Sequence, residues 1–428
     1  MSFCVISLRK RVKSEGRVLE IGGEAGKETK IVIDKQKRGG GNLMSKKFLS
    51  SVAVTILSLG LLVTGCGTQP SAPTTESATP AASGGEIKIG LPLPMTGSEA
   101  TYGKDMENAL KMAVDEINSK GGVDGKNIVT VTGDDACDPQ QATAAANKLV
   151  SQGVVAIVGG YCSGATIPTL TIYNEKNIPF VITAANSSKI AAQNPGNTFE
   201  INGTAVHQTQ KAIELFKKLG AKNVAIVEQG DAYSSDLAKQ TEDSWKAAGN
   251  TVVAHDVTNK GEQDFSSLVT SLKSKNADLV FWTAYYADGA LLIKQLRQGG
   301  FKGSIVVGDG SSDPKLIEMA GAAGEGTYVL SPPVADYLPT AKQFADAYKA
   351  KFNQSAGAYA PLAYDGMNLM ADALKRAGST DGKATIKALS ETKDFAGLAG
   401  KINFAADKTL KESNFIVLKI TGGKFVLQ

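Results

Sequence analysis

The chain has 428 residues, of which 42% are apolar and 21% are charged. This composition is typical of a globular α/β protein with room for two domains, and it excludes a disordered chain and a membrane-embedded one. Twelve of the 46 basic residues and five of the 42 acidic residues precede residue 66, so residues 66–428 carry 34 basic and 37 acidic side chains. No basic patch in this part of the chain indicates nucleic-acid binding.

The N-terminal region contains an export signal that begins inside the chain. Met44 is followed by two lysines, by 16 uncharged and mostly apolar residues at 48–63, and by small residues before Cys66. A positive start, a short apolar stretch and small residues at a cleavage site are typical of secretory signals. The VTGC sequence resembles a bacterial lipobox. We therefore expect a lipoprotein signal peptide at 44–65 and lipidation of Cys66, with an uncleaved membrane anchor as the alternative.

Two segments around the signal are not expected to belong to a folded domain. Residues 1–43 are interpreted as a non-native upstream extension, with translation starting at Met44. Residues 66–85 are rich in Ser, Thr, Pro and Ala and have almost no large apolar side chain, so they cannot bury enough surface to fold. They are predicted to form a flexible tether. The expected location is extracytoplasmic, lipid-anchored to a bacterial membrane, at the cell surface or in the periplasm.

From Glu86 onward, short β-branched runs alternate with stretches that have the apolar spacing of amphipathic helices. Nine strands are predicted, in the segments EIKIGLPLP, NIVTVTG, VVAIVGG, PFVITAA, NVAIVEQ, TVVAHDV, ADLVFWTAY, SIVVGDG and GTYVLSPP. This alternation indicates parallel sheets covered by helices on both faces. It breaks at 197–208, NTFEINGTAVHQ, where no full helix precedes the segment. The predicted fold class is therefore α/β, with two doubly wound parallel-sheet lobes.

Two cysteines lie in the predicted folded region, Cys137 and Cys162, each at the end of a predicted strand. Neighbouring parallel strands bring their carboxyl ends together, and disulfides persist in exported proteins. A disulfide is therefore plausible, with two buried free thiols as the alternative.

Motifs for catalysis, metals and nucleotides do not match. The spacing around Ser163 is G-x-x-S-G and not the G-x-S-x-G of a serine hydrolase. The two histidines, His207 and His255, stand in no triad-like or metal-ligand arrangement. No GxGxxG follows a strand. We predict no enzyme activity, no metal and no cofactor. Ligands of doubly wound sheets bind beyond the carboxyl ends of the strands, so a cleft between the two lobes is the expected site.

From Glu86 to the C-terminus the chain resembles the periplasmic leucine/isoleucine/valine-binding proteins, the substrate-binding subunits of branched-chain amino-acid ABC transporters. The resemblance rests on GLPLPMTGSEATYG, DDACDPQQATAAANKLV, GGYCSGAT, KGEQDFSSLVTSLK and VVGDGSSDP. It implies the type I periplasmic binding fold, in which a three-strand hinge joins two lobes, and a disulfide between Cys137 and Cys162. The hinge crossings would fall near 203–206, 330–334 and 410–414. Lobe 1 would comprise 86–204 plus 333–412, and lobe 2 would comprise 205–332 plus 413–428.

The resemblance also implies roles for individual residues. Ser163 matches the serine that binds the ligand carboxylate, and Asp309 matches the acidic residue that pairs with the ligand ammonium. The other implied ligand-binding positions are Ala184, through its backbone, and Asn186, Tyr285, Tyr102 and Tyr233. Tyr161 is the main departure, because the leucine-binding relatives have a leucine there. A tyrosine would shrink or repolarise the specificity pocket.

The predicted function is capture of an amino acid, with a branched-chain preference, and its delivery to an ABC transporter permease in the membrane. The alternative is a binding protein or sensory receptor for another small carboxylate, amide or aromatic compound on the same fold. A monomer is expected.

Overall fold

The computed structural model describes residues 85–428. The predicted extension at 1–43, the signal peptide at 44–65, the lipidated Cys66 and nearly all of the tether lie outside the described residues. Within 85–428 no helix combines the length and the apolar character needed to cross a membrane.

The first sheet has five parallel strands in the order β2-β1-β3-β4-β5. The elements from residue 86 to residue 200 are β1 (Glu86–Leu93), α1 (Ala100–Ser119), β2 (Asn127–Asp134), α2 (Pro139–Ser151), β3 (Ala156–Gly159), α3 (Ser163–Thr166), α4 (Leu170–Glu175), β4 (Phe180–Ile182), α5 (Ser188–Gln193) and β5 (Thr198–Glu200). The strands β3 and β4 are buried along their whole length because helices cover both faces of the sheet.

The second series of alternating helices and strands begins after β5. Its elements are α6 (Ala205–Lys218), β6 (Asn223–Glu228), α7 (Ala232–Ala247), β7 (Thr251–Val257), α8 (Ser266–Ser274), β8 (Leu279–Trp282), α9 (Tyr286–Gln298), β9 (Ser304–Val307), α10 (Pro314–Ala320) and β10 (Tyr328–Ser331).

The rest of the chain completes both halves. Its elements are α11 (Lys342–Phe352), α12 (Ala360–Ala377), α13 (Gly382–Ser390), β11 (Phe395–Gly397), β12 (Gly400–Ile402), β13 (Ile416–Thr421) and β14 (Lys424–Leu427). The second sheet has the order β14-β13-β10-β9-β8-β6-β7, and β11 pairs with β12 in a small sheet. Helix α12 returns to the first sheet and packs against α1, where Tyr364 donates a hydrogen bond to Glu116 at 2.6 Å. We call the first sheet with α1–α5 and α11–α13 the first lobe, and the second sheet with α6–α10 the second lobe.

The predicted fold class is confirmed, and each of the nine predicted strands is present. Two features differ from the sequence-based expectation. The segment where the alternation breaks contains a further strand, β5, preceded by the six-residue helix α5. The second sheet is not purely parallel, because β13 runs antiparallel to both β10 and β14. A hairpin at the chain end can add to a sheet edge without a crossover helix, which explains the antiparallel pairing.

The chain passes between the two sheets at 201–204, 332–334 and 411–415. The first and third of these crossings touch each other. The backbone N–H of Gly203 donates a hydrogen bond to Asn414 Oδ1 at 3.1 Å, and Asn414 Nδ2 donates to the carbonyl of Ile201 at 3.4 Å. Gly203 has no space for a side chain, because a Cβ there would lie 2.7 Å from the ring of Phe415. The lobe boundaries 86–204 plus 333–412 and 205–332 plus 413–428 stay a prediction.

Candidate functional site

A small cavity lies between the two lobes, beyond the carboxyl ends of β3 and β4 on one side and of β8 and β9 on the other. Its volume is about 10 Å³, and its lining residues are Tyr161, Ala184, Asn186, Tyr233, Tyr285, Asp309, Gly310 and Tyr359. A cavity of this size holds about one water molecule. A molecule larger than water can therefore enter only when the lobes separate.

Six of the eight predicted ligand-binding residues line this cavity, namely Tyr161, Ala184, Asn186, Tyr233, Tyr285 and Asp309. Ser163 and Tyr102 lie behind the wall. Ser163 Oγ accepts hydrogen bonds from the backbone N–H groups of Asn186 and Ser187, at 3.3 and 3.2 Å. Tyr102 stacks on Tyr161. The structure thus brings the predicted residues into one place, two of them indirectly.

Asp309 is the charged group of the site, and it is only 1% exposed. Its Oδ2 accepts hydrogen bonds from Asn186 Nδ2 at 2.9 Å and from Asn202 Nδ2 at 3.5 Å, whereas its Oδ1 has no partner among residues 85–428. Burial raises the pKa of this carboxyl, and the nearby hydroxyls of Tyr233 and Tyr359 act in the opposite direction by favouring the charged form. A buried carboxylate with a free oxygen is an acceptor for a cationic donor.

Ser163 is the first residue of α3, with Cys162 at the N-cap position. Because its Oγ already accepts two hydrogen bonds, its hydroxyl proton remains available for donation. The backbone N–H groups of Ser163 and Gly164 donate no hydrogen bond within the described residues, as expected for the first turn of a helix. Two residues beyond the end of β4, the carbonyl of Ala184 accepts from Asn202 Nδ2 at 2.7 Å, and the N–H of Ala184 likewise has no acceptor among residues 85–428. These donors all belong to the first lobe.

Stacked and edge-on tyrosines fill the other end of the site. The rings of Tyr102 and Tyr161 are stacked with centroids 4.8 Å apart, and Tyr359 meets both rings edge-on at 5.3 Å. Tyr285 lies 5.5 Å from Tyr233 across the second-lobe side. Edge-to-face contacts of this kind stabilise a fixed arrangement beyond what area burial provides. This end of the cavity is therefore lined by packed aromatic rings.

Glu99 stands behind the tyrosines and accepts a long hydrogen bond of 3.4 Å from the Tyr161 hydroxyl. Burial raises the pKa of Glu99 to about 7, and the charge of Asp313 in the second lobe contributes in the same direction. Lys260 acts oppositely by favouring the charged carboxylate. The protonation state of Glu99 thus changes near neutral pH.

A disulfide joins Cys137 and Cys162, with their Cα atoms 5.3 Å apart. It ties the loop after β2 to the residue between Tyr161 and Ser163. Cys137 itself has a positive φ of 56°, and its backbone N–H donates to Asp135 Oδ1 at 2.9 Å. The bridge therefore fixes the backbone from which two site residues project.

Tyr359, Asn202 and Gly310 were not among the predicted site residues. Tyr359 precedes α12 and does not follow a strand, so the rule that ligands bind beyond strand ends gave no reason to select it. Asn202 lies in the first crossing, where polar side chains are ordinary. The one available signal was the GDG sequence at 308–310, which places Gly310 next to Asp309.

Among residues 85–428 no group of three or more His, Cys, Asp or Glu side chains is arranged to hold a metal ion.

Two doubly wound lobes with a polar and aromatic cavity between them define a periplasmic binding protein. Residues 86–424 match the family described as periplasmic binding protein, and the chain belongs to that family. It is 33% identical over 343 residues to the Leu/Ile/Val-binding protein BraC3 of Rhizobium johnstonii, covering 80% of this chain and 93% of the relative. The predicted resemblance to the branched-chain amino-acid binding proteins is confirmed.

Solved structures of branched-chain amino-acid binding proteins are also similar to this chain. The leucine-binding protein LivK of Thermotoga maritima superposes with a TM-score of 0.75 at 28% identity, covering 80% of this chain and 97% of that one. The branched-chain amino-acid transporter substrate-binding protein LivJ of Streptococcus pneumoniae, solved in complex with isoleucine, has a TM-score of 0.74 at 30% identity and covers 79% and 97%.

Proposed function

We propose that the protein captures an amino acid, with a branched aliphatic side chain preferred, in the cleft between its lobes and delivers it to an ABC transporter permease. The observation that carries this proposal is the buried Asp309 carboxylate at the wall of the cavity, whose Oδ1 accepts no hydrogen bond from residues 85–428. An ammonium group would satisfy that oxygen and neutralise a charge that is otherwise costly to bury.

The opposite lobe supplies the complementary chemistry. The Ser163 hydroxyl and the backbone N–H groups of Ser163, Gly164 and Ala184 are donors without acceptors in residues 85–428. Donors at the start of a helix attract a carboxylate. One lobe would thus hold the carboxylate of the ligand and the other its ammonium, so a bound amino acid favours the arrangement in which both lobes contact it.

The relatives named above support the branched-chain preference, since they are Leu/Ile/Val- and leucine-binding proteins and one was solved with isoleucine. The second candidate ligand class is another small carboxylate, amide or aromatic compound. The specific observation that favours it is the aromatic lining, in which four of the eight residues are tyrosines.

The experiment is a calorimetric titration of the purified protein, unfolded and refolded to remove co-purified ligand, with each of the twenty amino acids. We expect Leu, Ile and Val to bind and Asp309→Asn to lose about 100-fold in affinity, because a buried ionic partner is removed. Binding of a different amino acid would retain the proposed roles of Asp309 and Ser163 and reject the branched-chain preference. Absence of heat across the panel would reject the amino-acid proposal and direct the titration to amides and aromatic acids.

We also propose an extracytoplasmic location, with a lipid anchor on Cys66, and a monomeric state. Mass spectrometry of the mature N-terminus tests the anchor: a diacylglycerol-modified Cys66 is expected, and an unmodified N-terminus elsewhere would reject it. Sedimentation of the protein tests the monomer.

A further inference from the structure

Asp236 joins the two lobes at a point outside the cavity. It lies on α7 of the second lobe and is 8% exposed. Its Oδ2 accepts hydrogen bonds from Ser187 Oγ at 3.0 Å and from the backbone N–H of Ser188 at 2.6 Å, and its Oδ1 accepts from Ser188 Oγ at 2.8 Å. All three donors belong to the first lobe, at the N-cap and the first residue of α5. One turn further along α7, Gln240 Nε2 donates to Ser188 Oγ at 3.3 Å.

The segment that Asp236 holds is continuous with the wall of the cavity. Asn186 precedes it directly and donates to Asp309, and the N–H groups of Asn186 and Ser187 both donate to Ser163 Oγ. Neither Asp236 nor Ser187 nor Ser188 lines the cavity. Contact with Asp236 therefore positions the backbone that carries Ala184 and Asn186, which line the cavity. Asp236 itself lies outside the cavity.

These hydrogen bonds connect different lobes, so separation of the lobes must break them. Hydrogen bonds to a carboxylate are about twice as strong as bonds between neutral groups, and three of them converge on Asp236. Any contact made only when the lobes are together raises the population of the closed conformation. A ligand that binds the closed conformation then binds more tightly and dissociates more slowly.

We propose that Asp236 is a positioning residue for lobe closure, which slows the release of the bound ligand. The proposal rests on the proposed function for its effect on release, but the contact itself stands on the geometry above. Its loss is expected to change the dissociation rate more than the association rate, because the lobes are apart when the ligand enters and together when it leaves.

The test compares Asp236→Asn, which keeps the size of the side chain and removes its charge, with Asp243→Asn on the same helix. Asp243 pairs with Lys239 on the surface and faces solvent, so it is a matched control. Stopped-flow measurements with L-isoleucine as probe should give a dissociation rate about tenfold higher for Asp236→Asn and a wild-type rate for Asp243→Asn. Ser188→Ala should raise the rate less, and the double variant should be less than additive because the two residues share the contact.

Small-angle X-ray scattering of the proteins without added ligand separates this proposal from the proposed function. Asp236→Asn should have a larger radius of gyration than the wild type and Asp243→Asn. Equal dissociation rates for Asp236→Asn, Asp243→Asn and the wild type would overturn the proposal. If L-isoleucine does not bind the wild type, the branched-chain function fails, and the scattering comparison decides alone: an unchanged radius of gyration in Asp236→Asn overturns the closure role.

Discussion

Tyr161 stacks on Tyr102 with ring centroids 4.8 Å apart and ring planes 27° apart. Tyr161 lines the aromatic end of the cavity with Tyr102 behind it, and Tyr359 meets both rings edge-on. An aromatic ring at position 161 therefore limits the free space at this end of the cavity.

Replacing this ring should widen the site. We expect Tyr161→Leu to strengthen the binding of leucine relative to alanine, because the shorter side chain leaves room for an aliphatic ligand and offers it an apolar surface. Calorimetric titration with both amino acids measures this ratio, and Tyr173→Leu, which changes a buried tyrosine on α4 outside the cavity, is the control. An unchanged ratio in Tyr161→Leu would contradict the role of this ring in specificity.

The sequence predicted the site best where a residue follows a strand. Asp309, Tyr285 and Ala184 come two or three residues after the ends of β9, β8 and β4, and the convergence of parallel strand ends indicates that they lie close together. Tyr359 could not be selected in this way, because it is brought to the cavity by the packing of α12 on α1. The same limit applies to Asp236, whose partners are remote in the chain and become neighbours only when two lobes meet.

Most strands of the fold, like most residues of the site, could be predicted from the sequence. Buried strands with β-branched runs, such as those of β6 and β9, are evident from the sequence alone. Strand β5 was missed because it has three residues and ends in the charged Glu200. Burial raises the pKa of this glutamate well above its usual range. A glutamate is buried in a strand only through tertiary packing, which the local sequence does not reveal.

The disulfide should contribute substantially to stability. It closes a loop with a sequence separation of 25 residues, for which the chain-entropy relation gives about 3–4 kcal/mol. We expect Cys137→Ser combined with Cys162→Ser to lower the free energy of unfolding by about this amount in chemical denaturation. A weaker ligand affinity should accompany it, since Cys162 stands between Tyr161 and Ser163. A denaturation midpoint equal to that of the wild type would contradict this prediction.

Glu99 should make the stability depend on pH. Its pKa is raised to about 7 in the folded protein from 4.5, so the folded state holds its proton more tightly than the unfolded state. The stabilising contribution is complete below pH 4.5 and is lost as the pH rises through about 7. Thermal unfolding between pH 5 and pH 8 should therefore show a smaller loss of stability in Glu99→Gln than in the wild type. Identical pH profiles would contradict the raised pKa.

Gly203 should not tolerate a side chain. A Cβ at this position would lie 2.7 Å from the Phe415 ring and 3.0 Å from Asn414 Oδ1. We expect Gly203→Ala to lower the free energy of unfolding by about 1–3 kcal/mol through steric overlap. Gly85→Ala is the control, because a Cβ there meets no atom within 4 Å. Equal unfolding temperatures for the two variants would show that the crossing relaxes without cost.

Helix α12 has a consequence for the order in which the protein can fold. Its buried face, which includes Leu362, Met367, Leu369 and Met370, packs on the first sheet and α1, yet α12 begins some 160 residues after β5. Because the chain is synthesised from its N-terminus, the second-lobe strands β6–β10 are made before α12. Contacts that join distant parts of a chain form late because they close long loops. The lobe that is synthesised first therefore cannot finish its core until most of the second lobe has been made, and the second lobe in turn needs β13 from the end of the chain.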